Sequence, residues 1–154
     1  MDKIDYKILE LLQEDASLST AEIAERVNLS KTPCWRRIQM LEKSGAISSR
    51  VALVDREFVG QDMDVFVAIR TSQHSEKWFN KFSSVVNSFP EVVEFYRMSG
   101  DVDYLMRVVV PDMKAFDSFY RSLIRQVEIS DVSSNFAMER LKYTTAVPLR
   151  GSLP

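Results

Sequence analysis

Two side chains of reactive type occur once each in the 154-residue chain, Cys34 and His74. One cysteine excludes an intramolecular disulfide and agrees with a reducing, cytoplasmic setting. One cysteine with one histidine is too few for a Cys/His zinc site and argues against a Cys–His nucleophilic pair. No paired-carboxylate pattern for acid–base work stands out, so no metal, cofactor or catalytic group is expected. His74 falls at a strand-to-helix junction and reads as a surface loop residue, not a ligand. Cys34 sits in "SKTPCWRRIQMLEKSG", residues 30–45. A reactive thiol needs exposure and a lowered pKa. A helix N-terminus with Arg37 nearby would supply the second, so access decides.

Helix geometry answers the question of access. At 100° per residue, Cys34, Ile38 and Leu41 share one face. That face must meet neighbouring helices, so Cys34 is expected in a small core. Thr32, Arg36, Gln39 and Lys43 fall on the opposite side, flanked by Arg37 and Met40. Trp35 lies about 100° off the core centre and is expected to flank the core, packed on the segment that follows. A base or sugar contact is its alternative.

The outward residue types suit the major groove. Arg pairs bidentately with guanine and Gln with adenine, and Thr reaches a base edge or a methyl. Ser30, Lys31 and Thr32 stand at the helix start, where free N–H groups favour phosphate. Charge distribution agrees. In residues 1–25, Lys3 and Lys7 stand against seven carboxylates, a net of −5. In residues 26–50, six basic residues stand against Glu42, a net of +5. The whole chain is only −2, so the basic block is local and marks a polyanion-binding face. The bland alternative is a solvated helix that binds nothing.

Around this helix the pattern is α-helical first. Ile4, Ile8, Leu11 and Leu12 recur at helical spacing behind Asp2, a capping residue. Ser19 and Glu22 have capping-box spacing before Ile23 and Val27. "NLS" breaks the chain, Ser30 can cap the next helix, Pro33 suits its first turn, and Gly45 ends it. These elements make a helix-turn-helix. "AISSRVALVD" reads as a small hairpin or wing, and "REFVGQ", with Gly60, as a hinge. Beyond it come a strand ("MDVFVAIRT"), a helix ("SEKWFNKFSSVVNSF"), two strands ("EVVEFYRMS", "YLMRVVV"), a helix capped by Asp112, and a last strand in "DVSSNFAMERLKYT". The order βαββαβ is ferredoxin-like. The expected fold class is α+β. A winged helix-turn-helix occupies residues 1–54, a linker 55–62, and a ferredoxin-like domain 63–154. No apolar run approaches the roughly 18 residues of a membrane span. The acidic, amphipathic start does not read as a signal peptide.

With these pieces placed, the chain resembles the Lrp/AsnC (feast/famine) family of transcription regulators over nearly its whole length. The motifs that carry the resemblance are Thr32-Pro33-Cys34, Arg37, Leu41-Glu42 with Gly45 and Ile47, and Gly100-Asp101-x-Asp103-Tyr104. Within the family, "TPCWRR", "RMSGDVDYLMRV" and "FAMERLKYTT" are similar to the branch that regulates cysteine detoxification in enterobacteria. Lys31 departs from the family's usual proline, and Gln39 and Met40 stand where basic residues are common.

The resemblance implies a sequence-specific DNA-binding regulator, not an enzyme, with a C-terminal effector-sensing domain of RAM/ACT-like shape. Its partners would be double-stranded DNA, a small effector such as an amino acid, and copies of itself. Dimers would assemble further, with an octamer expected, and no membrane is involved. The DNA face would be Ser30, Lys31, Thr32, Arg36, Arg37, Gln39 and Lys43. The effector would meet Met98, Ser99, Gly100, Asp101, Asp103 and Tyr104. Phe136 and Ala137 of a neighbouring subunit would face them. N–H groups near Gly100 would take an effector carboxylate, and Asp101 or Asp103 its ammonium. Read without the family, "RMSGDVDYLM" is only a hairpin with turn residues. Three rival functions stay open: a nucleoid-type protein bending DNA with weak sequence preference, an enzyme on the ferredoxin-like half, and a sensor acting through protein partners.

Overall fold

The structure, a computed structural model, describes residues 1–73 and 75–149. The surface-loop expectation for His74 lies outside the described residues. The chain divides into two compact units, Met1–Leu53 with the returning segment 142–149, and Val54–Leu141. No helix among the described residues is long and apolar enough to cross a membrane.

The first unit is three short helices around one apolar cluster. α1 (Lys3–Glu14) starts at Asp2, which accepts from the Ile4 and Asp5 N–H groups while Asp5 accepts from the Asp2 N–H. α2 (Thr20–Arg26) starts on the same reciprocal device at Ser19 and Glu22. Asn28 then turns the chain at φ 54°, a left-handed conformation that asparagine tolerates. α3 (Lys31–Lys43) follows and ends before Gly45, whose φ is +79°. At seven residues, α2 is too short to be helical alone. It is held because Ile23 and Ala24 pack with Ile8, Cys34, Ile38 and Leu41. Each large aliphatic side chain so buried contributes about 1.5–3 kcal/mol.

The second unit has β1 (Met63–Arg70), α4 (Glu76–Asn87), β2 (Val92–Arg97), β3 (Tyr104–Val110), α5 (Met113–Gln126) and β4 (Asp131–Phe136). The sheet order is β2-β3-β1-β4 with every neighbour antiparallel, the expected ferredoxin-like arrangement. One face of the sheet, with Val65, Val67, Ile69, Met106 and Val108, packs with Phe82, Val86, Phe119 and Leu123 from the helices. The other face carries no helix among the described residues. There Asp64 accepts from Arg56 Nη1 (2.6 Å) and Arg107 Nε (2.7 Å), and Arg107 Nη1 also donates to Glu94 (2.6 Å). Burial alone would raise the Asp64 carboxyl, but the two guanidinium hydrogen bonds outweigh it and hold the group below its ordinary range. Arg56 further donates to the Gln61 carbonyl, so the expected hinge around Gly60 is a folded turn held to β1.

Three expectations are corrected. The hairpin in "AISSRVALVD" is absent, because residues 46–55 hold no strand. None of those residues has positive φ, which the tight hairpin turns require, and a lone two-stranded hairpin is marginal in water. The last strand stops at Phe136 instead of running into "AMERLKYT", since β1 itself ends close by, at Met63; the last bond across is the Ala137 N–H donating to the Asp64 carbonyl (3.0 Å). The described end of the chain also belongs to the first unit and not the second. Leu149 packs on the helix cluster, and the Gln13 amide donates to the Val147 carbonyl (3.2 Å) and accepts from its N–H (2.7 Å). Side-chain amide and backbone amide pair as two strands would.

Candidate nucleic-acid interface and effector turn

α3 presents the faces its periodicity predicts. Cys34, Ile38 and Leu41 are buried, while Lys31, Thr32, Arg36, Gln39 and Lys43 are exposed. Ser30 stands at the N-cap position with extended backbone, yet its hydroxyl makes no capping bond. The capping role expected for that side chain is therefore not realised, and the hydroxyl stays uncommitted at the helix start. The Cys34 thiol is fully enclosed, and burial pushes its pKa up despite the nearby Arg37 charge. Both raised pKa and lost access make it a poor nucleophile. Trp35 corrects another expectation. It is 52% exposed, and the following segment, on which it was expected to pack, forms no hairpin.

Two residues of the expected DNA face are engaged within the chain. Arg37 Nη1 donates to Asp2 Oδ2 (2.8 Å) and Asp5 Oδ1 (2.7 Å), and these bonds raise its pKa further, Asp5 first. Gln39 Nε2 donates to Glu42 Oε2 (2.9 Å), while Glu42 Oε1 accepts from Arg50 (2.9 Å). Lys31, Thr32, Arg36 and Lys43 make up the remainder of the outward face.

In the sensor unit the turn between β2 and β3 is closed by the Met98 N–H donating to the Asp103 carbonyl (2.8 Å). Ser99, Gly100 and Asp101 are exposed at its tip. Gly100 has φ +110°, where a side chain is strained, although a Cβ there would meet only open space. Asp103 is occupied: its carboxylate accepts from the Thr71 N–H (2.8 Å) and its own N–H donates to the Ile69 carbonyl (3.0 Å). Asp101 is the carboxylate left at the tip. Tyr104 is 7% exposed and packs among Trp78, Phe79, Phe82 and Phe95. Its ring serves the core beneath the turn. Phe136 lies opposite Val65 in the ladder, whereas the turn adjoins Ile69 at the other end of β1. Four to five residues of strand separate the two, about 15 Å at 3.4 Å each. A single chain therefore does not bring Phe136 and Ala137 to the turn.

Sequence reasoning assigned no role to Arg70. Its Nε donates to the Asp101 carbonyl (2.8 Å) and its Nη1 to Asp131 Oδ2 (2.9 Å). The guanidinium thus ties the turn to the start of β4. A cation on the outward side of a strand's last residue was the available signal.

A helix-turn-helix unit and a separate four-stranded antiparallel unit in one chain define the two-part architecture of a DNA-binding regulator with a ligand domain. Residues 64–147 match the Lrp/AsnC ligand binding domain, and residues 1–48 a winged helix-turn-helix DNA-binding domain. Over 150 residues the chain is 51% identical to the DNA-binding transcriptional activator DecR of Escherichia coli K12, covering 97% of this chain and 99% of that one. The crystal structure of an AsnC family transcriptional regulator from Agrobacterium tumefaciens matches with a TM-score of 0.96 at 59% identity, covering 99% of this chain and 100% of that one. A transcriptional regulator from Neisseria meningitidis, solved as its L-Met complex, matches with a TM-score of 0.93 at 34% identity and 97% coverage of both. The chain belongs to the Lrp/AsnC family of transcription regulators.

Proposed function

We propose that the protein is a sequence-specific, homo-oligomeric regulator that reads double-stranded DNA with α3 and responds to a small amino acid at the turn 98–103. The observation that carries this reading is the exposed row of Thr32, Arg36 and Lys43 on a helix whose opposite face is fully committed to the core. Arg36 is the base reader of first choice, and Lys43 and Lys31 serve phosphates. The uncommitted Ser30 hydroxyl supports a phosphate contact at the helix start. At the sensor turn, the exposed Gly100 segment supplies N–H groups for a carboxylate, and Asp101 accepts an ammonium. Asp103 and Tyr104 support that turn from below.

The separation of Phe136 from the turn supports self-association, in which a second copy brings Phe136 and Ala137 to face the turn. Extended segments without a strand ladder, carrying exposed Val51, Leu53 and Val54 and exposed Met138 and Leu141, favour the same reading. Dimers would place paired α3 helices in successive major grooves, roughly one turn apart. They would assemble further, to an octamer. Ligand shared between copies would then shift assembly or helix placement. The resemblance to the cysteine-detoxification branch makes cysteine the first effector to test, and the L-Met complex of the Neisseria relative makes methionine the second. Such a regulator acts in the cytoplasm, where its DNA is.

Genome-wide capture of DNA by the purified protein, with and without each amino acid, tests this reading. Discrete sites whose occupancy changes with one amino acid are expected. Failure to retard any genomic DNA at low salt refutes the DNA reading. The bond that Gln39 makes to Glu42 removes one base reader and so favours a second reading, a DNA-bending protein with weak sequence preference. The ratio of specific to non-specific affinity at fixed salt separates the two.

A further inference from the structure

We infer that Arg37 is a positioning residue, which locks the reading helix to the N-terminus of α1 and makes no contact with DNA. The inference rests on α3 being the DNA-reading helix. Adjacent arginines on α3 have opposite surroundings. Arg36 is exposed, whereas the Arg37 side chain is 31% exposed and points to Asp2 and Asp5, with Asp5 only 15% exposed. One guanidinium nitrogen bridges both carboxylates at 2.8 and 2.7 Å. Neither carboxylate has spare capacity that matters. Asp2 gives Oδ1 to the N–H groups of Ile4 and Asp5 and Oδ2 to Arg37. Asp5 gives Oδ2 to the Asp2 N–H and Oδ1 to Arg37. The box that starts α1 and the clamp on α3 are therefore one hydrogen-bonded unit.

Charge decides what this unit does near DNA. Arg37 with Asp2 and Asp5 carries a net charge of −1. A phosphate approaching the other N–H groups of Arg37 would meet two carboxylates within 3 Å of Nη1 on the same guanidinium and be repelled. For Arg37 to swing to a phosphate, both carboxylates would lose their cation and face an anion. The arrangement suits a fixed strut. It sets the axial position and roll of α3 against α1, on which the reach of Arg36 into a groove depends. Base pairing by a bidentate side chain tolerates little displacement, so a loosened helix loses sequence preference before it loses general attraction to DNA.

The test is binding of the full-length protein to a duplex recovered by wild-type genomic capture and to a shuffled duplex of equal composition, across a range of salt. The variants are Arg37→Gln, Asp5→Asn and their combination, each checked for folding by circular dichroism at the assay temperature. Arg37→Gln is expected to weaken binding to the captured duplex about tenfold, the size of one lost base contact, with an unchanged salt slope. Asp5→Asn removes a negative charge from the DNA-facing unit, so electrostatics alone predicts tighter binding. The strut predicts the opposite, a several-fold loss confined to the captured duplex. The combination should be no worse than Arg37→Gln alone, because both break one unit. A salt slope smaller by about 1 for Arg37→Gln, with equal loss on both duplexes, overturns the inference and makes Arg37 a phosphate contact. Tighter binding by Asp5→Asn overturns it too, and that variant keeps the Asp2 bond should Arg37→Gln fail to fold. If wild type retards no DNA at low salt, the DNA reading falls and the inference with it. If wild type binds and the variants follow the phosphate pattern, only the inference falls.

Discussion

At the residue scale, three neighbours on one helix divide three tasks by angle alone. Cys34 faces inward and fills space, Arg36 faces outward, and Arg37 lies between and finds carboxylates on another helix. Arg36→Ala should relax base preference and cost about 1–3 kcal/mol on cognate DNA if it reads a base. Competition binding against a library of single-base operator variants measures both effects, and a loss equal on all sequences would make it a phosphate contact instead. Cys34 should resist thiol reagents in the native protein, since its sulfur is enclosed and its pKa raised. Alkylation should track global unfolding as urea is added. Peroxide treatment should leave DNA affinity unchanged, and a loss of affinity that a reductant restores would instead reveal a redox role. Cys34→Ser should cost about 1–3 kcal/mol by burying a hydroxyl without a partner, read as a lowered melting temperature.

At the element scale, the sensor turn separates support from contact. Asp103 holds the Thr71 N–H and is part of the turn's own frame. Asp101 stands at the tip and contributes only its carbonyl to that frame, through Arg70. Asp101→Ala should therefore abolish the effector response while thermal stability and effector-free DNA binding stay near wild type. Asp103→Ala should lower stability by about 1–3 kcal/mol, leaving a part-buried N–H unpaired, and weaken effector binding with it. Calorimetric titration with cysteine and methionine, alongside thermal melts, checks both. Unchanged effector binding in Asp101→Ala would refute its assignment. The same contrast explains how far the sequence was legible. The Asp2 cap, the Ser19/Glu22 capping box, the core face of α3 and the βαββαβ order were readable, because each depends on residues a few positions apart. The partners of Arg37 lie 32 and 35 positions away, which no local period reports, so its engagement with Asp2 and Asp5 was not legible. β-Branched and apolar residues marked "AISSRVALVD" as a hairpin, and "AMERLKYT" was carried on from the strand before it, but residue type does not report the presence of a neighbour to pair with. The return of Leu149 to the first unit left no pattern at all, being one apolar side chain and two amide bonds.

At the scale of the whole molecule, each unit carries a carboxylate that hydrogen bonds hold ionised. In the helix unit it is Asp2, lowered by the Asp5 N–H and then by Arg37. In the sensor unit it is Asp64, where burial works against ionisation and the bonds from Arg56 and Arg107 overcome it. The sign of the pH dependence follows. A carboxyl with a folded pKa below its unfolded value of about 3.9 binds fewer protons folded than unfolded around that pH. Its contribution is complete above the unfolded value and is lost as pH falls through the folded one. Stability should be level from neutrality to about pH 5 and decline below about pH 4. Asp64 matters most because its side chain is 8% exposed and serves two arginines. Asp64→Asn leaves Arg56 and Arg107 short of a counter-charge on a half-covered face and should cost about 3 kcal/mol at pH 7. The variant should also lose part of the acid-side decline, since the group that titrates is gone. Urea unfolding of wild type and variant at pH 7, 5 and 3 resolves the two effects, with the difference between the proteins shrinking as pH falls. A difference that holds constant down to pH 3 would mean that the carboxylate charge contributes nothing beyond shape, and the ion network would then be packing alone.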